Sequence, residues 1–203
     1  MNMNNLFYTI AIIIVLIIFM IYYSGAYDGF RDIRAPDGEI YRVLDSRTST
    51  EAAKTLARLN DFNIKLIQYL REKYPDDPRV ILLRTRYDPA IISEHVPDLF
   101  TPETSYVLNK GESACFCLRA GKTPPTKDSP FDDFDTIIFV NLHEMSHLAE
   151  SVYKHPPRFW QTFKFLITAA KDAGLHTPVD YSKHPVYYCG LNIPYNPYFD
   201  ETI

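Results

Sequence analysis

The chain has 203 residues, with 21 Lys and Arg against 25 Asp and Glu, for a formal net charge of −4. That balance argues against the basic surface that nucleic-acid binding needs, so no nucleic-acid partner is expected; Arg79, Arg84 and Arg86, the one notable basic cluster, read as a solvated face. Three cysteines (Cys115, Cys117 and Cys189) argue against a disulfide framework and for a reducing compartment, with a single Cys117–Cys189 bridge left open.

Residues 1–5 form a polar N-terminus, and residues 6–23 hold no charge, Gly or Pro and are dominated by Ile, Leu, Val and Phe. As a helix this run rises about 27 Å, close to the hydrocarbon thickness of about 30 Å. Tyr22, Tyr23 and Tyr27 suit an interfacial belt at its exit. The expectation is one N-terminal transmembrane helix, with the lipid bilayer as partner and a single-pass membrane localisation. A cleavable signal peptide is the lesser reading despite the small residues Ser24-Gly25-Ala26, because no Lys or Arg precedes the apolar run. Arg31 and Arg34 follow the span, which places the domain on the cytoplasmic side by the positive-inside rule. Residues 24–47 read as a juxtamembrane linker, and 48–203 as one domain of ordinary size.

Within that domain, Thr48 and Glu51 form a capping box that opens a helix through Leu56, Leu59, Phe62, Leu66 and Leu70. Pro75-Asp76-Asp77-Pro78 ends it. Arg79–Tyr87 and Ser105–Leu108 read as strands, His95 as an ordinary loop histidine, and Asn109-Lys110-Gly111 as a hairpin turn into a strand over Ser113–Leu118. On that strand Cys115 and Cys117 share a face as buried thiols. Gly121–Asp133 is a proline-rich loop. From Asp135 to Tyr153 there is no Pro or Gly, and Ile138, Phe139, Leu142, Met145, Leu148, Ala149 and Val152 give helical spacing, with Asp133 or Asp135 as N-cap. A further helix runs from Arg158 through Phe159, Phe163, Leu166, Ile167 and Ala170, closed by Gly174. The tail from Leu175, with four prolines and five tyrosines, is expected to wrap the domain irregularly.

Residues 143–147 read His-Glu-Met-Ser-His, in the middle of the longer of these two helices. Positions four apart share one helical face, so His143 and His147 can point two imidazole nitrogens at one Zn²⁺, with Glu144 beside the metal-bound water as general base. No other charged residue falls between Val140 and Ala149. A lone glutamate there is costly to bury unless it is hydrogen-bonded or has chemistry to perform. A catalytic zinc site needs a third protein ligand. Glu150 lies about 10.5 Å of helical rise beyond His143, too far for the same ion, and reads as an orienting or solvated residue. Pro156 forces the chain to turn just after the motif, so His155 is the favoured third ligand, with His184, His176 and Asp180 as the remaining candidates.

Val140 to Ala149 resembles the extended signature of zincin-type metallopeptidases. His155 followed by Arg158, Phe159 and Trp160 is similar to WLM-type metallopeptidases, whose third histidine precedes an aromatic residue. Thr104-Ser105-Tyr106, Asn109-Lys110-Gly111, Cys117-Leu118-Arg119 and Tyr188-Cys189-Gly190 resemble WLM-like metallopeptidases of large DNA viruses. The gap between the second and third histidines is longer than in the better-known WLM pattern and lacks its glycine. The resemblance implies an α+β, zincin-like domain, a small mixed sheet packed on the helix that carries HExxH. It further implies a membrane-anchored zinc metallopeptidase with a protein or peptide substrate. The edge strand that holds the substrate backbone would be Ser113–Leu118, and Tyr187 or Tyr188 would be an oxyanion donor. The rival reading is structural: a component of the virion inner membrane that docks capsid or membrane proteins, its zinc site stabilising the fold.

Overall fold

Apolar residues at three- and four-residue intervals build helix α1 (Ser49–Lys73), which buries Leu56, Leu59, Phe62, Leu66 and Leu70 along one stripe. The computed structural model that shows this describes residues 8, 10, 12–19, 29–97, 102–121, 125–152 and 154–203. The capping box does not form, because Thr48 makes no side-chain cap bond. Its hydroxyl instead accepts from Arg119 Nη1 at 2.8 Å, while Ser49 Oγ donates to Leu44 O at 2.8 Å and to Ser46 O at 2.7 Å. The stretch expected to be a linker is, from Phe30 onward, the antiparallel hairpin β1 (Phe30–Arg34) and β2 (Ile40–Leu44). It belongs to the core: Tyr41 and Val43 alternate inward on β2, and Tyr41 Oη accepts from Asn60 Nδ2 of α1 at 3.0 Å.

Arg79–Tyr87, expected as a strand, is instead helix α2 (Pro78–Arg86). Asp77 caps its start by accepting from Arg79 N at 2.9 Å, and Pro78 fills the first turn, where a missing N–H costs nothing. Two of its arginines are also not simply solvated. Arg79 pairs with Asp77 at 2.6 Å and stacks on the Phe165 ring at 3.8 Å, and Arg86 reaches the motif helix, as described below.

The main sheet has the order β3-β5-β4, formed by β3 (Ile92–His95), β4 (Ser105–Leu108) and β5 (Ser113–Cys117). β3 pairs parallel to β5 and β4 antiparallel to it. β5 is therefore the central strand, and the free edge beside the motif belongs to β4, which corrects the assignment of the edge to Ser113–Leu118. His95 is not a loop residue: it is buried at the end of β3, where a ring nitrogen lies 2.9 Å from Glu103 O. Asn109 and Lys110 take the left-handed geometry of a tight hairpin turn. Gly111 after them is required, since a Cβ there would lie 2.6 Å from Arg86 O.

The motif helix α3 (Phe134–Ala149) begins at Asp133, whose carboxylate accepts from Thr136 N at 3.1 Å. It is nearly surrounded by protein, and it is locked to α1 by a reciprocal amide pair, Asn63 to Asn141 at 3.1 Å and Asn141 to Asn63 at 2.7 Å. Helix α4 (Pro157–Asp172) packs along it through Phe159, Phe163, Leu166 and Ile167, and Gly174 follows with φ +70°. The tail is irregular apart from a short hairpin, β6 (Val186–Tyr188) and β7 (Leu191–Ile193), and one turn of 3-10 helix at Pro197–Phe199. Cys189 at the hairpin turn pairs with Cys117, Cα to Cα 6.3 Å, which is the bridge left open above and not what a reducing compartment favours.

The fold is thus mixed α+β, and the expected transmembrane helix is not part of it. Among the described residues no helix is long and apolar enough to cross a membrane. Tyr22, Tyr23 and Tyr27 lie outside the described residues. The single-pass membrane localisation, which rested on that helix, is withdrawn with it.

Candidate metal centre

α3 presents His143 and His147 one turn apart, both half-buried. The helix ends at Ala149, four residues short of the expected Tyr153, because Glu150 is already extended (φ −114°, ψ 147°). The chain then turns, and Lys154 takes φ +66° immediately before His155. A non-glycine residue rarely adopts this left-handed geometry.

His155 swings back over the motif. Its Nε2 lies 3.0 Å from His143 Nε2 and 3.2 Å from His147 Nε2, and one ligand atom from each of the three histidines falls within 4.8 Å of the others. These three residues could form a metal site, the one such cluster among the described residues. The other candidates for third ligand lie elsewhere. Among the described residues buried His176 has no hydrogen-bond partner on either ring nitrogen, and Asp180 and His184 sit together in a turn of the tail.

Burial pushes the His143 imidazole down to about 3, reinforced by His147 and His155. It pushes His147 down to about 4, with His155 and Lys110 adding to the effect. His155 is lowered by burial as well. All three rings are therefore neutral at pH 7 and carry the lone pairs a cation requires. Phe159 of α4 packs against all three rings, with centroids 4.5 to 4.8 Å away, and fixes their planes.

Glu144 is buried beside them. Burial raises its carboxyl to about 8, and a hydrogen bond from the Val107 backbone of β4 pulls the other way. It lines both cavities that meet at the histidines, one of about 570 Å³ and one of about 270 Å³. The two tyrosines considered as oxyanion donors are otherwise placed. Tyr188 is fully buried, with its hydroxyl 2.5 Å from Cys117 O and 2.8 Å from Ser105 Oγ, and Tyr187 is 71% exposed.

Several residues that the linear pattern did not single out hold the turn that delivers His155. α3 stops abruptly, so its last carbonyls need donors. Arg86 of α2 supplies them to Leu148 O at 2.8 Å and Glu150 O at 2.7 Å, and Lys110 Nζ supplies them to His147 O at 3.3 Å and to Val152 O. Two cations at a helix C-terminus also suit its dipole. Glu150 is neither solvated nor part of the helix. It is buried, accepts from Thr162 Oγ1 at 2.5 Å, and pairs with Arg158 at 2.9 Å, which ties the end of α3 to the start of α4.

No family model matches the chain and no solved structure matches it. The chain is 31% identical over 157 residues to an uncharacterized protein of Acanthamoeba polyphaga mimivirus, an alignment that covers 75% of this chain and 76% of the relative.

Proposed function

We propose that this chain, which belongs to one family with the uncharacterized mimivirus protein, is a zinc-dependent peptidase. The observation that carries the reading is the meeting of three neutral imidazole nitrogens beside a buried carboxylate where two cavities join. The separations of 3.0 and 3.2 Å between nitrogens fit the donor set. Tetrahedral zinc with bonds of about 2.0–2.1 Å needs its ligand nitrogens about 3.3 Å apart. Three protein ligands with open space on both sides also leave the vacant position that a catalytic site keeps. Zinc held there supplies Lewis acidity, polarising a carbonyl and acidifying water.

The chain's own groups do the rest. Glu144, as the carboxylate that a neighbouring cation favours over the protonated form burial alone would leave, takes the proton of the attacking water and delivers it to the leaving amine. The bond from Cys117 N to Thr104 O, 3.0 Å, fixes the alternation along β4, so the backbone groups of Ser105 and the Val107 carbonyl face the open edge, where the Val107 N–H already bonds Glu144. An extended peptide can add to that edge beside Glu144, with main-chain bonds giving affinity independent of sequence.

A Glu144→Gln variant tests the assignment. It is expected to hold zinc as wild type does and to cleave an unstructured peptide library at least a thousandfold more slowly. Cleavage at the wild-type rate refutes the role of Glu144.

A further inference from the structure

We infer that the groove between α1 and α2 is a docking site for an acidic, amphipathic peptide segment of a partner protein, one that brings an apolar anchor flanked by Asp or Glu. The inference is independent of the peptidase reading, because the groove shares no lining residue with the two cavities at the histidines.

The groove holds a cavity of about 510 Å³, within the range of roughly 300–1,000 Å³ in which ligand groups are buried. Ile64 and Ile67 line it from α1, and Tyr87 and Pro89 from the residues just past α2. Along α1 the lining runs from Ile64 to Arg71, about 10.5 Å of helical rise, enough for about three residues of an extended segment or two turns of a helix. Ile64 stands outside the buried stripe of α1 and is 47% exposed. Ile81, one turn before Arg84 on the same face of α2, is also exposed.

This surface is preformed. The Tyr87 hydroxyl donates to Asn60 Oδ1 at 2.5 Å, which fixes the ring, and Ile67 and Tyr87 both pack on the core. Pro89 sits in a turn of 3-10 helix whose start is capped by Asp88, accepting from Ala90 N at 2.9 Å. An occupant therefore meets ordered apolar surface, and little is lost in arranging it.

Charge selects the occupant. Arg71 lines the groove from α1 and Arg84 from α2. Neighbouring cations are committed: Lys54 pairs with Glu51 at 2.9 Å, Lys65 with Asp61 at 2.6 Å and Arg79 with Asp77 at 2.6 Å. Among the described residues Arg71 and Arg84 have no ion pair, hydrogen bond or ring contact. The one acid of the lining, Glu72, accepts from Gln68 Nε2 at 3.2 Å. Two uncommitted guanidiniums beside an apolar floor suit carboxylates, which arginine holds with paired hydrogen bonds. A polyanion such as nucleic acid would meet a chain of net charge −4 beyond the groove, whereas a short segment touches only the groove itself.

Panning a phage-displayed library of short peptides on the immobilised full chain tests the inference. The enriched peptides are expected to carry acidic residues around one aromatic or aliphatic residue and to bind the metal-free and zinc-loaded chain alike. The double variant Arg71→Glu, Arg84→Glu is expected to weaken them at least about tenfold, as loss of charge complementarity does. Both side chains are exposed, so the variant keeps the wild-type urea midpoint, which shows that the fold is intact. A library that yields no binder, binders without acidic bias, binding that requires zinc, or affinity that survives the double variant overturns the inference. Self-association of the chain, or its binding to phosphatidylserine vesicles, that the same double variant abolishes would overturn it in favour of a second copy or a membrane surface.

Discussion

Replacing Glu144 by Gln in the metal-free protein should stabilise the fold at alkaline pH and leave it unchanged at acid pH. The Glu144 carboxyl is raised from 4.5 to about 8, with burial as the largest cause. A folded-state value above the unfolded one means that the native protein prefers the protonated form, so stability is full below pH ~4.5 and is lost as pH rises toward pH ~8. At about 1.4 kcal/mol per unit, the fully ionised carboxylate costs up to ~4–5 kcal/mol, which relaxation and water entry from the two adjoining cavities reduce to about 2–3 kcal/mol. Gln keeps the shape and the acceptor for the Val107 N–H but cannot ionise. Urea titrations in the presence of a chelator should give equal unfolding free energies for the two proteins at pH 4, within about 0.5 kcal/mol, and a variant more stable by about 2 kcal/mol or more at pH 8. In saturating zinc the gap should close, because a nearby dication favours the carboxylate. A variant that tracks wild type across the whole range without metal would show that Glu144 is not held in a desolvated position.

Lys110→Met should lower zinc affinity by about tenfold without unfolding the domain, since it frees the carbonyls of His147 and Val152 that shape the turn before His155; isothermal titration checks this, and unchanged affinity would limit Lys110 to surface electrostatics. Arg119→Met should cost about 3–5 kcal/mol of stability, because it leaves Glu94 buried and unpaired; Glu94 otherwise accepts from Arg119 at 2.8 Å and from Leu44 N at 2.7 Å. Adding Glu94→Gln to Arg119→Met should recover part of that loss in a denaturant titration, whereas additive losses would argue against a coupled pair. Thiol counting on the unfolded, unreduced chain should find one reactive cysteine, Cys115, with Cys117 and Cys189 paired; three reactive thiols would contradict the pairing.

What the sequence made legible was local. Two histidines four apart on a Pro- and Gly-free run need only helical periodicity to share a face, and Pro156 alone dictates that the chain turns near His155. The helix of Ser49–Lys73 and that of Pro157–Asp172 follow from apolar spacing in the same way. The misreadings have physical causes. Val80-Ile81-Leu82-Leu83 is a continuous apolar run that suits a buried strand as well as a helix, and Asp77-Pro78 reads as the end of one helix although it also starts the next. Residues 24–47 carry turn-forming Gly and Pro, which masked the two inward residues Tyr41 and Val43 of β2. The exchange of edge and centre between Ser105–Leu108 and Ser113–Cys117 depends on β3, which enters the sheet parallel to β5 from a segment without alternating pattern. Composition suggested an anchor over residues 6–23, whereas among the described residues no helix is long and apolar enough to cross a membrane. Arg86 and Lys110, which cap α3 from 62 and 37 residues away, have no linear signature at all.

Zinc stoichiometry and affinity, measured on the full chain and on His155→Ala, bear on the central claim most directly. Three converging imidazoles predict one zinc per chain in wild type and an affinity at least a hundredfold lower in the variant. A wild-type chain that takes up no zinc, or a variant that binds it as tightly, would contradict the account.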